Sequence, residues 1–284
     1  MPEPAASDPT ALLASHLKTL EKRGQKTVYL SPEARQALAP APPSSVVREP
    51  APAPPASPPS QPVPGAPEAP QAQTDKPKAL SAVRAEAESD PTCRSLGTLR
   101  DTFVFATGNP DARLMFVGEA PGFDEERHRE PFVGKAGQLL DKIVNAMGIQ
   151  RQDVYISNIV KWRPKIDGRP DQGTANRKPT AEEMEASRKF VLREIEIVKP
   201  GAVVALGASA AQGLLGLEDS VGRLRNQFHN LDGTPVMVTY HPAFLLRSQS
   251  NADKRKVWED LLLVMERLGM PISDKQRRFF RPKN

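Results

Sequence analysis

Three side chains of complementary chemistry stand at the ends of apolar runs in this sequence. Glu119 follows Leu114-Met-Phe-Val117, within the stretch Gly118-Glu-Ala-Pro-Gly122. Asn158 closes Asp153-Val-Tyr-Ile-Ser-Asn158, and His241 follows Pro235-Val-Met-Val-Thr-Tyr240. A carboxylate, an amide with donors and an acceptor, and an imidazole are complementary hydrogen-bonding groups. Each alone also has an ordinary reading: a solvated turn acid, a turn-forming amide, a structural histidine before proline. Phe132 is a fourth candidate, in Pro131-Phe-Val-Gly-Lys-Ala-Gly137. In a loop flanked by glycine and proline an aromatic can stack on an extruded nucleobase, or can anchor the loop on the sheet.

The order of elements is what would bring these residues together. Four apolar runs read as strands: 113–118, 153–160, 202–206 and 235–240. Helical patterns lie between and after them, from about Ala136 to Met147, from the capping box Thr180-Ala-Glu-Glu183 to about Lys199, over Ser209–Leu215 and over 254–268. Residues 82–88 read as a helix, Phe103-Val-Phe105 as a short strand, and Lys161–Pro179 as a polar loop. Strands alternating with helices imply an α/β fold, a three-layer α/β/α sandwich on a four-stranded parallel sheet. The C-terminal ends of parallel strands share one rim, so Glu119, Asn158 and His241 are expected to be neighbours there.

The remaining sequence sets the limits. Of the 284 residues, 30 are proline, and 14 of these fall in a Pro/Ala-rich block that reads as a disordered linker over 39–81. Residues 1–38 carry Leu12, Leu13, Leu17 and Leu20 on one helical face, either a marginal helix or a peptide that docks a protein partner. The folded domain is expected over 82–272, followed by a basic, mobile tail over 273–284. A formal charge of +5 suits a polyanionic partner without demanding one. Cys93 is the only cysteine, so neither a disulfide framework nor an all-cysteine metal site can form within the chain. The N-terminus has no secretory pattern, and no run approaches the roughly 18–20 apolar residues of a membrane span. The expectation is a soluble, monomeric protein of a bacterial cytoplasm, with no membrane contact.

Five motifs carry a resemblance: 118–122, 131–137, Val154-Tyr-Ile-Ser-Asn-Ile-Val-Lys161, Asn176-Arg-Lys-Pro-Thr180 and Tyr240-His-Pro-Ala-Phe-Leu-Leu-Arg247. In this order, across about residues 90–268, they resemble the family 4 uracil-DNA glycosylases. The resemblance implies the same α/β/α fold and a hydrolase of base excision repair, which cleaves the N-glycosidic bond of uracil rotated out of single- or double-stranded DNA. By the same resemblance Phe132 stacks on uracil and Asn158 reads its N3–H and O4. Glu119 sits near the attacking water, with Ala120 beside it among the substrate contacts. Glu125 crowds C5 against the thymine methyl, and His241 stabilises charge on O2. Leu246 and Arg247 enter the duplex, and Lys161, Arg163 and Arg177 join Arg247 in holding phosphates. Relatives acting on another deaminated base, or a non-catalytic DNA-binding protein, are the alternatives.

The sequence departs from that family in its N-terminal extension and in two places within the matched region. The family usually holds a [4Fe–4S] cluster on four cysteines; here Trp162 and Ser187 stand at two of those positions, and Cys93 alone is near the others. No cluster, no other cofactor and no metal site is therefore expected. The loop Lys165–Ala175 is also longer than usual, and it has no histidine of the kind a related branch uses to trap the sugar covalently.

Overall fold

The structure is a computed structural model that describes residues 75–281. The expected N-terminal helix, and the Pro/Ala-rich segment up to residue 74, lie outside the described residues. Helices α1 (Lys76–Ser89) and α2 (Pro91–Ser95) come first. The side chains of Asp75 and Asp90 cap them, accepting from the Lys78 and Cys93 N–H groups, so the first helix starts ahead of the expected 82–88.

The main sheet has six strands in the order β2-β4-β3-β6-β8-β7. They are β2 (Thr107–Gly108), β3 (Leu114–Gly118), β4 (Tyr155–Asn158), β6 (Ala202–Leu206), β7 (Phe228–Leu231) and β8 (Thr234–Thr239). The four central strands β4, β3, β6 and β8 are parallel, as expected. The sheet is wider than the expected four because β2 and β7 add antiparallel edges. The β7–β8 hairpin turns on Asp232-Gly233, both with positive φ (47° and 90°), the pairing a two-residue turn demands. The parallel strands are buried on both faces over most of their length, as packing between two helical layers requires.

The connecting helices are α3 (Phe123–His128), α4 (Lys135–Ala146), α5 (Ala181–Val198), α6 (Ala208–Leu215), α7 (Val221–Leu224), α8 (Pro242–Ser248), α9 (Asn251–Arg267) and α10 (Asp274–Arg278). The Thr180/Glu183 capping box opens α5, as its sequence predicts. Two apolar clusters lie on opposite sides of the sheet. One packs Met115, Val117 and Val203 against Phe190 and Val191 of α5; the other packs Phe116, Ile156 and Val204 against Leu140 of α4 and Leu261 of α9.

Two segments differ from expectation. Within the expected polar loop Lys161–Pro179, Trp162–Pro164 forms β5, paired antiparallel with β1 (Leu99–Phe103). The tail expected to be mobile is pinned as far as it is described: Trp258 Nε1–H donates to the Gln276 carbonyl at 2.6 Å, and Gln276 donates to the Ala146 carbonyl at 2.9 Å. Among the described residues no helix is long and apolar enough to cross a membrane.

Candidate active site

Neighbouring parallel strands end together at one rim: Gly118 pairs with Asn158, and Leu206 with Thr239. The chain runs from β3 to its neighbour β4 on one side and from β6 to its neighbour β8 on the other. That makes the β3/β6 junction a topological switch point, where open α/β sheets bind ligands. A cleft of about 530 Å³ opens there. Glu119, Ala120, Glu125, Phe132, Asn158, Arg177, His241 and Arg247 all line it, so eight of the expected site residues meet at one place. A wider depression of about 930 Å³, bordered by Asn109, Glu130, Asp141 and Arg151, carries no comparable set of converging groups.

Asn158 is 2% exposed, and its Oδ1 accepts no hydrogen bond among the described residues. A buried carbonyl oxygen left this way costs stability unless a ligand donor meets it. Gly118 makes room for it: a Cβ there would collide with Asn158 Oδ1 and with the Phe132 ring. From behind, Lys161 fixes the Asn158 backbone, donating to its carbonyl at 3.0 Å and to Ser157 Oγ at 2.6 Å.

His241 is the N-cap of α8, and its Nδ1 accepts the Ala243 N–H at 3.1 Å. With Nδ1 used as an acceptor, the neutral ring carries its proton on Nε2. Burial, reinforced by the nearby positive charge of Arg247, lowers the His241 pKa to about 4. The imidazole is thus a neutral donor at neutral pH. Its ring lies 5.6 Å from that of Phe132, centre to centre, with the planes tilted by 31°.

Glu125 ties two loops together. Its Oε2 accepts the Gly122 N–H at 3.1 Å, and its Oε1 accepts those of Val133 and Gly134 at 3.2 and 3.0 Å. Glu119 borders the cleft between these loops and Asn158, and its carbonyl accepts the Val160 N–H at 2.9 Å.

Three of the five residues expected to contact DNA are instead committed internally. Lys161 is fully buried and pairs with the equally buried Glu194 at 2.5 Å. Arg163 is 1% exposed; it donates to Asn176 Oδ1 at 2.9 Å, to Glu126 at 2.9 Å, and to the Gly173 and Ala175 carbonyls, each at 2.7 Å. Arg177 forks onto Glu183 at 2.6 and 2.8 Å and also bonds the Lys165, Lys178 and Thr98 carbonyls. Strand β5, paired with β1, holds Arg163 inward, whereas Arg177 keeps a place at the cleft with its guanidinium on Glu183. Leu246 (40% exposed) and Arg247, on the short helix α8, do face solvent. The cleft also includes Asn176, Lys178, Ser209, Tyr240 and Phe244, which sequence reasoning did not single out. Lys178 and Asn176 adjoin Arg177 in a motif already noted, so proximity could have pointed to them.

The residues at the cluster positions do not fit an iron–sulfur cluster, which needs four thiolates. The one thiol, Cys93, is buried in the apolar core, and burial together with Asp90 pushes its pKa up to about 11, which favours the protonated form. Trp162 is 2% exposed and packs on Phe103 at 5.1 Å between ring centres. Ser187 is buried on α5, and among the described residues no group of three or more His, Cys, Asp or Glu could hold a metal ion.

The family model described as the uracil DNA glycosylase superfamily matches residues 105–262. A type-4 uracil-DNA glycosylase of Thermotoga maritima is 44% identical over 164 residues, covering 57% of this chain and 81% of that protein. One of Archaeoglobus fulgidus is 36% identical over 183 residues, covering 59% of this chain and 87% of its own length. A type-5 uracil-DNA glycosylase of Pyrobaculum aerophilum is 31% identical over 153 residues, covering 48% and 63%. With a parallel sheet, a rim cleft and relatives that agree, this chain belongs to the uracil DNA glycosylase superfamily.

Proposed function

We propose that the chain is a monofunctional uracil-DNA glycosylase that works without a metal cofactor and leaves an abasic site. The observation that carries this is the pairing, in one cleft, of an unpartnered buried amide oxygen on Asn158 with an imidazole whose Nδ1 is already occupied. Asn158 Oδ1 accepts uracil N3–H, and its Nδ2 donates to O4. Cytosine presents an acceptor at N3 and a donor at C4, so both contacts reverse, and a site built this way rejects it strongly. Phe132 stacks on the base. The Glu125 carboxylate crowds C5; because three N–H groups hold it, it cannot swing aside for a methyl group.

The N1–C1′ bond breaks with its electron pair leaving on uracil, so negative charge develops at O2 while the sugar becomes cationic. His241 Nε2–H, fixed and neutral, donates to O2 where that charge appears. The Glu119 carboxylate offsets the sugar's positive charge and orients the water that adds at C1′, accepting its proton. Arg247 and Lys178, both exposed at the cleft, hold phosphates. Leu246 fills the space the base leaves.

The test is release of uracil from single- and double-stranded oligonucleotides containing one uracil, followed by alkaline cleavage at the abasic site. Product that is lost in Asn158→Asp supports the reading. No product at any salt concentration sinks it, and cleavage of hypoxanthine in preference to uracil would reassign the substrate.

A further inference from the structure

Phe132 has φ of 55°, a left-handed conformation that a bulky aromatic residue adopts only when its surroundings impose it. Gly137 is required there, because a Cβ at that position would strike the Phe132 carbonyl. Charged side chains hold the turn from two sides. On the cleft side Glu125 binds the Val133 and Gly134 N–H groups. From outside the cleft Arg151 donates Nη1 to the Phe132 carbonyl at 3.2 Å and Nη2 to the Pro131 carbonyl at 2.7 Å. Arg151 is itself anchored by Asp141 of α4 at 2.9 Å and by Glu130 at 3.2 Å. It opens the 3-10 turn Arg151–Asp153 that leads into β4, the strand that ends at Asn158. One guanidinium therefore joins the Phe132 loop, helix α4 and the approach to the strand carrying the base-reading amide. It lies in none of the five sequence motifs and does not line the cleft.

We propose that Arg151 is a positioning residue for base stacking, holding Phe132 in the left-handed turn that presents its ring to the extruded base, with Glu125 as its counterpart inside the cleft. This rests on the glycosylase reading. The planar fork of arginine suits two adjacent carbonyls, and charge-assisted bonds of this kind are about twice as strong as neutral ones. Losing them relaxes the turn and tilts the ring, without touching the groups that hold the DNA backbone.

The experiment compares the wild-type chain with Arg151→Met, Arg151→Lys and Asp141→Asn. Two quantities are read: inhibition of uracil release by free uracil, and affinity for an oligonucleotide carrying a tetrahydrofuran abasic analogue, which offers Phe132 no base. Arg151→Met is expected to weaken uracil inhibition and raise KM about tenfold, since displacement of a positioned group by about 1 Å can cost up to ~10²-fold. Affinity for the abasic analogue stays within about twofold, and Arg151→Lys, with charge but no fork, falls between. In a Phe132→Ala background Arg151→Met adds nothing further. Equal weakening of both affinities, no change in either, or additive losses in that background would overturn the inference. If Arg151→Met does not fold, the lysine and Asp141 variants decide by the same two readings. Uracil release by the wild type with no Arg151 effect sinks this inference alone; absence of uracil release sinks both.

Discussion

The rate of uracil release is expected to be flat from about pH 8 to about pH 5.5, because His241 stays neutral throughout. Burial, and secondarily Arg247, lowers its pKa to about 4 from the usual 6.5. At pH 6 such a group is about 1% protonated, whereas an unperturbed histidine would be about three-quarters protonated. Protonation would also place a hydrogen on Nδ1, where the Ala243 N–H now donates, and so break the α8 cap. The sign of the stability effect follows. The folded pKa lies below the unfolded one, so the unfolded chain binds more protons between the two values. The stability is fully present above about pH 6.5 and is lost as pH falls toward about 4, a loss of about 3 kcal/mol from a 2.5-unit difference. Single-turnover uracil release across pH, with an NMR titration of histidine-labelled protein assigned by His241→Asn, measures both. A rate limb or a His241 resonance with a midpoint near 6.5 would refute the neutral-donor argument.

Asn158→Asp and His241→Ala should each cut the rate by about 10²–10³, measured at saturating enzyme, because each removes a donor aimed at developing charge or at the base edge. Lys161→Met should destabilise the fold by about 3–5 kcal/mol in urea unfolding by stranding Glu194, and Lys161→Met with Glu194→Leu should recover much of that loss. If Lys161 contacted phosphate instead, the single variant would change the salt dependence of DNA binding. Lys178→Gln and Arg247→Gln should each lower the slope of log affinity against log salt by about 0.7–0.9, a shift read from binding titrations at several salt concentrations. Trp162→Ala should cost about 3–5 kcal/mol of stability by melting or urea unfolding, and Trp162→Cys should acquire no iron–sulfur absorption after reconstitution, having two thiols where four are needed.

The parallel centre of the sheet was legible because each buried strand is a short apolar run stopped by glycine, proline or a polar residue, with a helical period before the next. That placed Glu119, Asn158 and His241 on one rim, and the cleft gathers all three. The edges were harder to read. Strand β2 is two residues long, and β5 is three, all buried, too short for any alternation to register. Strand β7 did carry a signal: Asp232-Gly233 ahead of an apolar run is the residue pair that a two-residue hairpin needs. The inward direction of Lys161 and Arg163 is not legible in the sequence, because composition reports charge and not direction. The partners Glu126 and Glu194 lie 37 and 33 residues away in the sequence, and nothing local marks either as the partner of a buried cation.

The consecutive residues Lys161, Trp162 and Arg163 supply the physical account of how the cleft is braced without cluster ligands. Lys161 reaches back to the Asn158 carbonyl and across to Glu194 on α5. Trp162, where the resemblance puts a cluster cysteine, packs on Phe103 of β1 and shares an apolar cluster with Cys93, Met184 and Phe190. Arg163 grips Asn176 and the Gly173 and Ala175 carbonyls on one side and Glu126 of α3 on the other. A buried ion pair, an aromatic contact and a guanidinium fork connect these segments. Each of these is strong only in a dry interior, where charges are poorly screened and aromatic area is fully removed from water. The basic stretch is therefore spent on rigidity. On the proposed reading, attraction for the phosphate backbone falls to Lys178 and Arg247 at the mouth, and the salt slope should count those two cations and not the buried Lys161 and Arg163.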